Sequence, residues 1–190
     1  MNQLTNKTIA LLIAPRGTED PEFAKPKAAL EAAGANVVVV GLEPGKAETV
    51  NHDLDAGSKY TVDKVVGEVT AGEFDALVIP GGCVGADKLR ANAKLVALVH
   101  DFFASGKPVG AICHAPWTLI EAGVVKGRTL TSYPTLKTDL ENAGATWVDR
   151  EVCTDGGLVT SRNPNDLPAF CAKLVEAFAE GRHAQQAVSA

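Results

Sequence analysis

The sequence predicts an α/β fold: a single-domain, three-layer sandwich with a mostly parallel sheet and helices on both faces. Three observations predict it. Short, continuous apolar runs such as Val37–Val40 and Phe74–Ile79 suit strands buried on both sides. The stretches between them carry apolar residues at helical spacing. The alternation continues along all 190 residues with no repeat and no linker, a length that fits one domain with a full core.

The elements follow in order. Lys7–Ala14 is an apolar run that ends at Pro15-Arg-Gly17 and reads as a strand followed by a loop. Residues 21–33 carry Phe23, Leu30 and Ala33 at helical spacing, with Gly34 as the stop and Pro26 as a kink or a near-start residue. Val37–Val40 is the second core strand. Residues 45–70 read as two short strands joined by a turn around Asp55-Ala-Gly57. Phe74–Ile79 is a strand that stops at Pro80-Gly-Gly82. Leu95, Val99, Phe102 and Phe103 mark a helix closed by Gly106, and Val109–Ile112 is the fourth core strand. A helix from about His114 to Ala122, a strand over Arg128–Ser132 and a short helix around Leu136 and Leu140 come next. Thr146–Arg162 reads as a hairpin turning at Asp155-Gly-Gly157. The stripe Leu167, Phe170, Cys171, Leu174, Val175, Phe178 makes the last helix amphipathic. The domain therefore spans 1–190, with a core of about 7–180 and a frayed tail over 181–190.

Composition excludes several classes. A net charge of −5 and no cluster of Lys and Arg argue against nucleic acid as a partner. No apolar run approaches the roughly 20 residues of a membrane span, and Ile9–Ala14 is too short for a signal peptide. Cys83, Cys113, Cys153 and Cys171 form no C-x-x-C pair, which implies reduced thiols and a cytoplasmic chain without a zinc site. His52, His100 and His183 lack metal-ligand companions.

The informative segment is Pro108-Val-Gly-Ala-Ile-Cys113-His114-Ala115-Pro116. A buried strand runs into Cys113 and a helix follows, with Ala111 and Ala115 flanking it. This has the logic of a nucleophile elbow, where small neighbours let a sharp turn present the side chain at the carboxyl edge of the sheet. A helix amino end favours thiolate, so Cys113 is expected to be a nucleophile alkylated well below pH 8. The alternative is a buried structural cysteine. Pro80-Gly81-Gly82 ends a neighbouring strand, and glycine lets an amide approach a reacting centre. The N–H groups of Gly82 and His114 are therefore candidates for an oxyanion hole, with an ordinary tight turn as the alternative.

These segments resemble the PfpI-like intracellular protease and deglycase family of the class I glutamine amidotransferase-like superfamily. The resemblance rests on Glu19-Asp-x-Glu22, Phe74–Gly82, Gly106-Lys-Pro-Val109, Ala111-Ile-Cys-His114 and Gly127-Arg-x-Leu-Thr-Ser-Tyr-Pro134. Ala143-Gly-Ala145, Val159-Thr-Ser-Arg-x-Pro164 and Asp166–Ala169 complete it. It implies a flavodoxin-like sheet and a catalytic set of Cys113, His114, Glu19 and Asp87. Glu19 would hold its proton beside the thiol; Glu22 reads rather as an acid at a helix start. His114 would be oriented by an acid from a neighbouring subunit, the position Asp87 matches, which implies a homodimer or higher homo-oligomer. The alternative for Asp87 is a helix N-cap, because its loop is one residue longer than in some relatives. Ala115 stands where a glycine is common. The glutaminase triad is absent, since Thr160–Pro164 contains no histidine.

The remaining candidates have plainer roles. Cys83 is a loop residue or a resolving thiol; Cys153 and Cys171 belong to the core. Trp117 and Tyr133 wall the pocket or pack. The resulting expectation is a stress-related cysteine enzyme that needs no cofactor and no metal. It would act on small carbonyls (glyoxals, early glycation adducts) or on peptides. The alternative is a non-catalytic sensor in which Cys113 is oxidised.

Overall fold

The computed structural model describes residues 3–187. Its first stretch is β1 (Thr8–Ile13), β2 (Arg16–Glu19), α1 (Asp20–Ala32) and β3 (Asn36–Gly41). Then come β4 (Gly45–Asn51), β5 (Asp55–Val62), β6 (Lys64–Val65), β7 (Ala76–Ile79), α2 (Cys83–Arg90), α3 (Ala93–Ala104), β8 (Val109–Ile112) and α4 (Pro116–Glu121). The chain closes with β9 (Thr129–Leu130), α5 (Lys137–Asn142), β10 (Thr146–Trp147), β11 (Val152–Asp155), β12 (Leu158–Ser161), α6 (Leu167–Glu180) and α7 (Ala184–Ala187).

The central sheet has seven strands in the order β11-β12-β8-β7-β1-β3-β6. Every pairing in it is parallel except β11 with β12. Successive side chains of a strand leave by opposite faces, so each strand feeds two cores. From β1, Ala10 and Leu12 join Leu89, Phe102, Phe103 and Leu119 of α2, α3 and α4. Ile9, Leu11 and Ile13 join Phe23 and Leu30 of α1 and Phe170 and Leu174 of α6. Gly110 is required at the crossing with α6, because a Cβ there would lie 2.3 Å from Leu174 Cδ2.

The expected α/β sandwich is the architecture found, and several local expectations change. The hairpin expected over Thr146–Arg162 is confined to β11 and β12, because Thr146–Trp147 pairs parallel to β9. Arg16–Glu19 is not loop but a strand paired parallel to β4. The β4–β5 hairpin turns at His52-Asp53-Leu54, while Asp55-Ala-Gly57 lies inside β5. Residues 83–90 form α2, where a loop was expected. They are poor in large apolar residues, so periodicity gave no signal. Residues 113–115 form a turn and α4 starts at Pro116. The tail is not wholly frayed: α7 packs back, Gln186 is fully buried, and His183 N–H donates to Gly106 O at 2.8 Å. Its last three residues, 188–190, lie outside the described residues. Pro26 sits inside α1, which continues through it.

Candidate active site

β8 delivers Cys113 to the carboxyl edge of the sheet. The residue has left-handed backbone, φ 63°, a conformation that costs a non-glycine residue on the order of 1–3 kcal/mol. Neighbouring segments hold it there. Cys113 N–H donates to Ser161 O at 3.1 Å, and Tyr133 N–H donates to Cys113 O at 2.9 Å. The turn brings two adjacent side chains together that ordinary backbone would part, with Sγ 3.1 Å from His114 Nδ1. Cys113 is 6% exposed.

The carboxyl group beside this thiol is Glu22, not Glu19. Glu22 is fully buried in the first turn of α1. Its Oε2 accepts the Gly81 N–H at 2.9 Å, and its Oε1 is buried without an N–H or O–H donor. Burial pushes its pKa up to about 8; the charges of Glu19 and Asp53 add to this, while hydrogen bonds accepted from the Cys113 thiol and the Gly81 amide oppose it. At neutral pH Glu22 is therefore a protonated acid facing the sulfur. Glu19, the last residue of β2, turns towards the β4–β5 hairpin and accepts the His52 and Asp53 amides at 2.8 and 3.1 Å. Both acids fit the motif in sequence. Only the direction in which each leaves the β2–α1 junction separates them.

The expected ease of ionisation at Cys113 is also corrected. Burial pushes the thiol above the ordinary range and the Glu22 carboxylate pushes it further. The Gly82 and His114 amides, both hydrogen-bonding to the sulfur, pull it back. α4 has six residues and starts beyond Ala115, so it adds little at the thiol. Glu22 and Cys113 thus form one titrating pair, and its first proton leaves near the value set by Glu22.

Three segments meet at Gly81 and Gly82. Gly82 has φ 86°, and a Cβ on it would lie 2.3 Å from Gly17 O and 2.7 Å from Glu19 N. A Cβ on Gly81 would lie 2.6 Å from Glu22 Oε2 and 2.7 Å from Cys113 Cβ. The glycines therefore let β2 and the end of β7 close on the elbow, which brings the Gly82 amide to the sulfur.

The resulting pocket, about 280 Å³, is lined by Cys113, His114, Glu19, Glu22, Asp53 and Tyr133, among others. The His114 ring stacks on Tyr133 with centroids 4.7 Å apart and meets the edge of Trp117 at 5.1 Å. Burial lowers its pKa and the Asp53 charge opposes that shift. Asp87 is not in this pocket. It lies within α2, so it is not an N-cap; it is exposed and pairs with Arg90 at 2.9 Å. It borders a larger groove of about 790 Å³ that contains no cysteine. Cys83 is half-buried and its N–H donates to Asp53 Oδ1 at 2.7 Å. Cys153 is buried and Cys171 half-buried. Sequence reasoning missed the His52–Asp53 tip of the hairpin; two polar residues before an exposed Leu54 gave no signal. Among the described residues no group of three or more His, Cys, Asp or Glu side chains could hold a metal ion.

The DJ-1/PfpI family model matches residues 7–177. The chain belongs to the DJ-1/PfpI family. The Escherichia coli (strain K12) Protein/nucleic acid deglycase 2 is 46% identical over 166 residues, covering 87% of this chain and 94% of that one. The provisionally named cysteine protease YraA of Bacillus subtilis is 43% identical over 165 residues, covering 87% and 94%. The crystal structure of Drosophila melanogaster DJ-1beta superposes with a TM-score of 0.82 at 32% identity, covering 91% of this chain and 90% of that one. These likenesses support an enzyme of the DJ-1/PfpI family. Within the family's motifs, Cys113, His114 and Glu22 are the side chains that the fold brings together at one point.

Proposed function

We propose that this protein is a stress-related thiol enzyme that acts on small carbonyl compounds, glyoxals and early glycation adducts, without a cofactor. The observation that carries the reading is the surroundings of Sγ. Two amides face it, a protonated buried acid lies beside it, and His114 Nδ1 is 3.1 Å away. A pocket of about 280 Å³ suits a small molecule better than a polypeptide.

With a glyoxal the steps balance as follows. Sγ bonds to the aldehyde carbon, the C=O π bond breaks, and the thiol proton reaches the new oxygen by way of His114 or Glu22, giving a hemithioacetal. The Gly82 and His114 amides carry the developing negative charge. Glu22, once ionised, takes the proton from that carbon to leave an enediolate, the hydroxyl proton passes to the neighbouring oxygen as the first C=O forms again, and Glu22 returns its proton to the neighbouring carbon, forming a thioester. Water cleaves the thioester, releasing the hydroxy acid and the thiol. Peptide hydrolysis would use the same thiol through an acyl-enzyme, and the name of YraA favours testing it. In this reading the enzyme works in the cytoplasm as a homo-oligomer.

The test follows methylglyoxal by proton NMR with wild type and Cys113→Ser in parallel. Many equivalents of lactate from wild type and none from the variant are expected. No turnover on methylglyoxal, with cleavage of a peptide library instead, would move the reaction to peptides. Consumption of a single equivalent of peroxide with neither activity would make Cys113 a sensor.

A further inference from the structure

Asp53 is a charged pocket residue that the steps above do not use. It stands at the tip of the β4–β5 hairpin. His52 and Asp53 both have left-handed backbone, φ 52° and 62°, which non-glycine residues adopt rarely. Glu19 holds them there by accepting both amides. The tip is thus built by a buried carboxylate whose hydrogen bonds serve the backbone of residues 52 and 53.

From this tip Asp53 reaches the site in two directions. Its Oδ1 accepts the Cys83 N–H at 2.7 Å, and Cys83 is bonded to Gly82, whose amide faces the sulfur. Its charge also acts on His114. The other groups around that ring are the Tyr133 and Trp117 rings and the Cys113 thiol, with Glu22 beyond the thiol. Glu19 also lines the pocket, but both its oxygens are taken by the His52 and Asp53 amides, and the charge that acts on the imidazole is that of Asp53. Glu22 lines the same pocket as Asp53, and its Oε1 is buried there without an N–H or O–H donor.

We propose that Asp53 is a positioning residue of the thiol site: it fixes the Gly82 amide through Cys83 and stabilises the imidazolium formed when the Cys113 proton moves to His114. In that step the S–H bond breaks, sulfur keeps the electron pair, and an N–H bond forms at Nδ1. The pair's net charge does not change, and the proton returns when the thiol is released. This deepens the thiol-enzyme reading and rests on it. It places the acid for His114 in the same chain, whereas the family resemblance places it at Asp87 of a neighbouring subunit.

Three variants test this in the whole protein: Asp53→Asn, Asp53→Gly and Asp87→Asn. Asparagine tolerates left-handed backbone and keeps an oxygen for the Cys83 amide, so it removes the charge alone. Glycine keeps the backbone and removes both roles. In Asp53→Asn the His114 ring pKa, followed by NMR titration of its ring resonances, should fall by about half a unit or more. With methylglyoxal, kcat should fall about tenfold while KM stays within about twofold. Asp53→Gly should lose more kcat than Asp53→Asn. An unchanged His114 titration in both Asp53 variants overturns the proposal, as does a fall produced by Asp87→Asn instead. A titration shift with unchanged kcat overturns the catalytic part. A wild type that does not convert methylglyoxal overturns the proposed reaction, and the His114 titration still decides the role of Asp53.

Discussion

The two ends of the central sheet bury polar groups in opposite ways. At the amino end of β8 lies Lys107, and linked to it through Gln186, at the start of β9 in the small β9–β10 sheet, lies Arg128; both are buried cations. Lys107 Nζ donates to the carbonyls of Ala71 and Phe74. Arg128 donates to the carbonyls of Val124, Asp155 and Gln186, lies 3.6 Å from the Asp155 carboxylate and stacks on Phe103. The nearby Gln186 Oε1, which has no hydrogen-bond donor, belongs to an uncharged amide, and His183 Nε2 lies 3.6 Å from Glu180 Oε2. At the carboxyl ends lie Glu22, Cys113 and His114. There an ionisable oxygen lacks a donor, a non-glycine residue is left-handed, and pKa values are displaced. Charge surrounded by carbonyls ties the chain together; polarity left short of partners is completed by a reacting molecule.

The largest expected effect falls at the carboxyl end. Cys113→Ser should reduce conversion of methylglyoxal by at least about a thousandfold, while its melting temperature stays near wild type. Measurable turnover at a tenth of the wild-type rate would break the contrast, since the thiol would then be only structural.

Glu22→Gln should lower kcat about a hundredfold by removing the proton carrier. It should also change the pH dependence of stability. A carboxyl whose folded pKa is raised from 4.5 to about 8 penalises the native state increasingly as pH rises between those values. The variant should therefore melt with wild type near pH 4 and above it at pH 8, by a few kcal/mol. Melting curves at both pH values check this, and a constant gap would show that Glu22 is ordinary.

At the amino end Arg128→Met should cost about 3–5 kcal/mol, because Asp155 and three carbonyls lose their partner. The pH profile of Cys113 alkylation in the folded fraction should not move. A changed profile would mean that the two ends are coupled. The smallest effect is expected at Arg90→Ala, which breaks an exposed pair with Asp87 and should cost under about 1 kcal/mol by urea titration.

The legibility of the sequence followed burial. Val37–Val40, Phe74–Ile79 and Val109–Ile112 announced themselves because a strand covered on both faces must be apolar throughout. The Cys113 elbow was visible because a buried strand, a thiol and a helix start are adjacent in sequence. β2, α2 and the docking of α7 were not visible. They are held by contacts with distant segments, such as Gly17 against Gly82 and His183 against Gly106, and carry no periodicity of their own.

By itself the sequence determined the α/β sandwich, the strand that carries the thiol and the glycines beside it, because those depend on local spacing and on apolar burial. It also narrowed the buried acid to the Glu19–Glu22 motif. Only the tertiary structure decided which of the two carboxyl groups meets the sulfur and that adjacent Cys113 and His114 side chains converge. It likewise decided that Asp53, rather than Asp87, faces the pocket within the chain. A side chain's direction depends on the backbone conformation beneath it and on the segments packed around it, and neither is written in residue spacing.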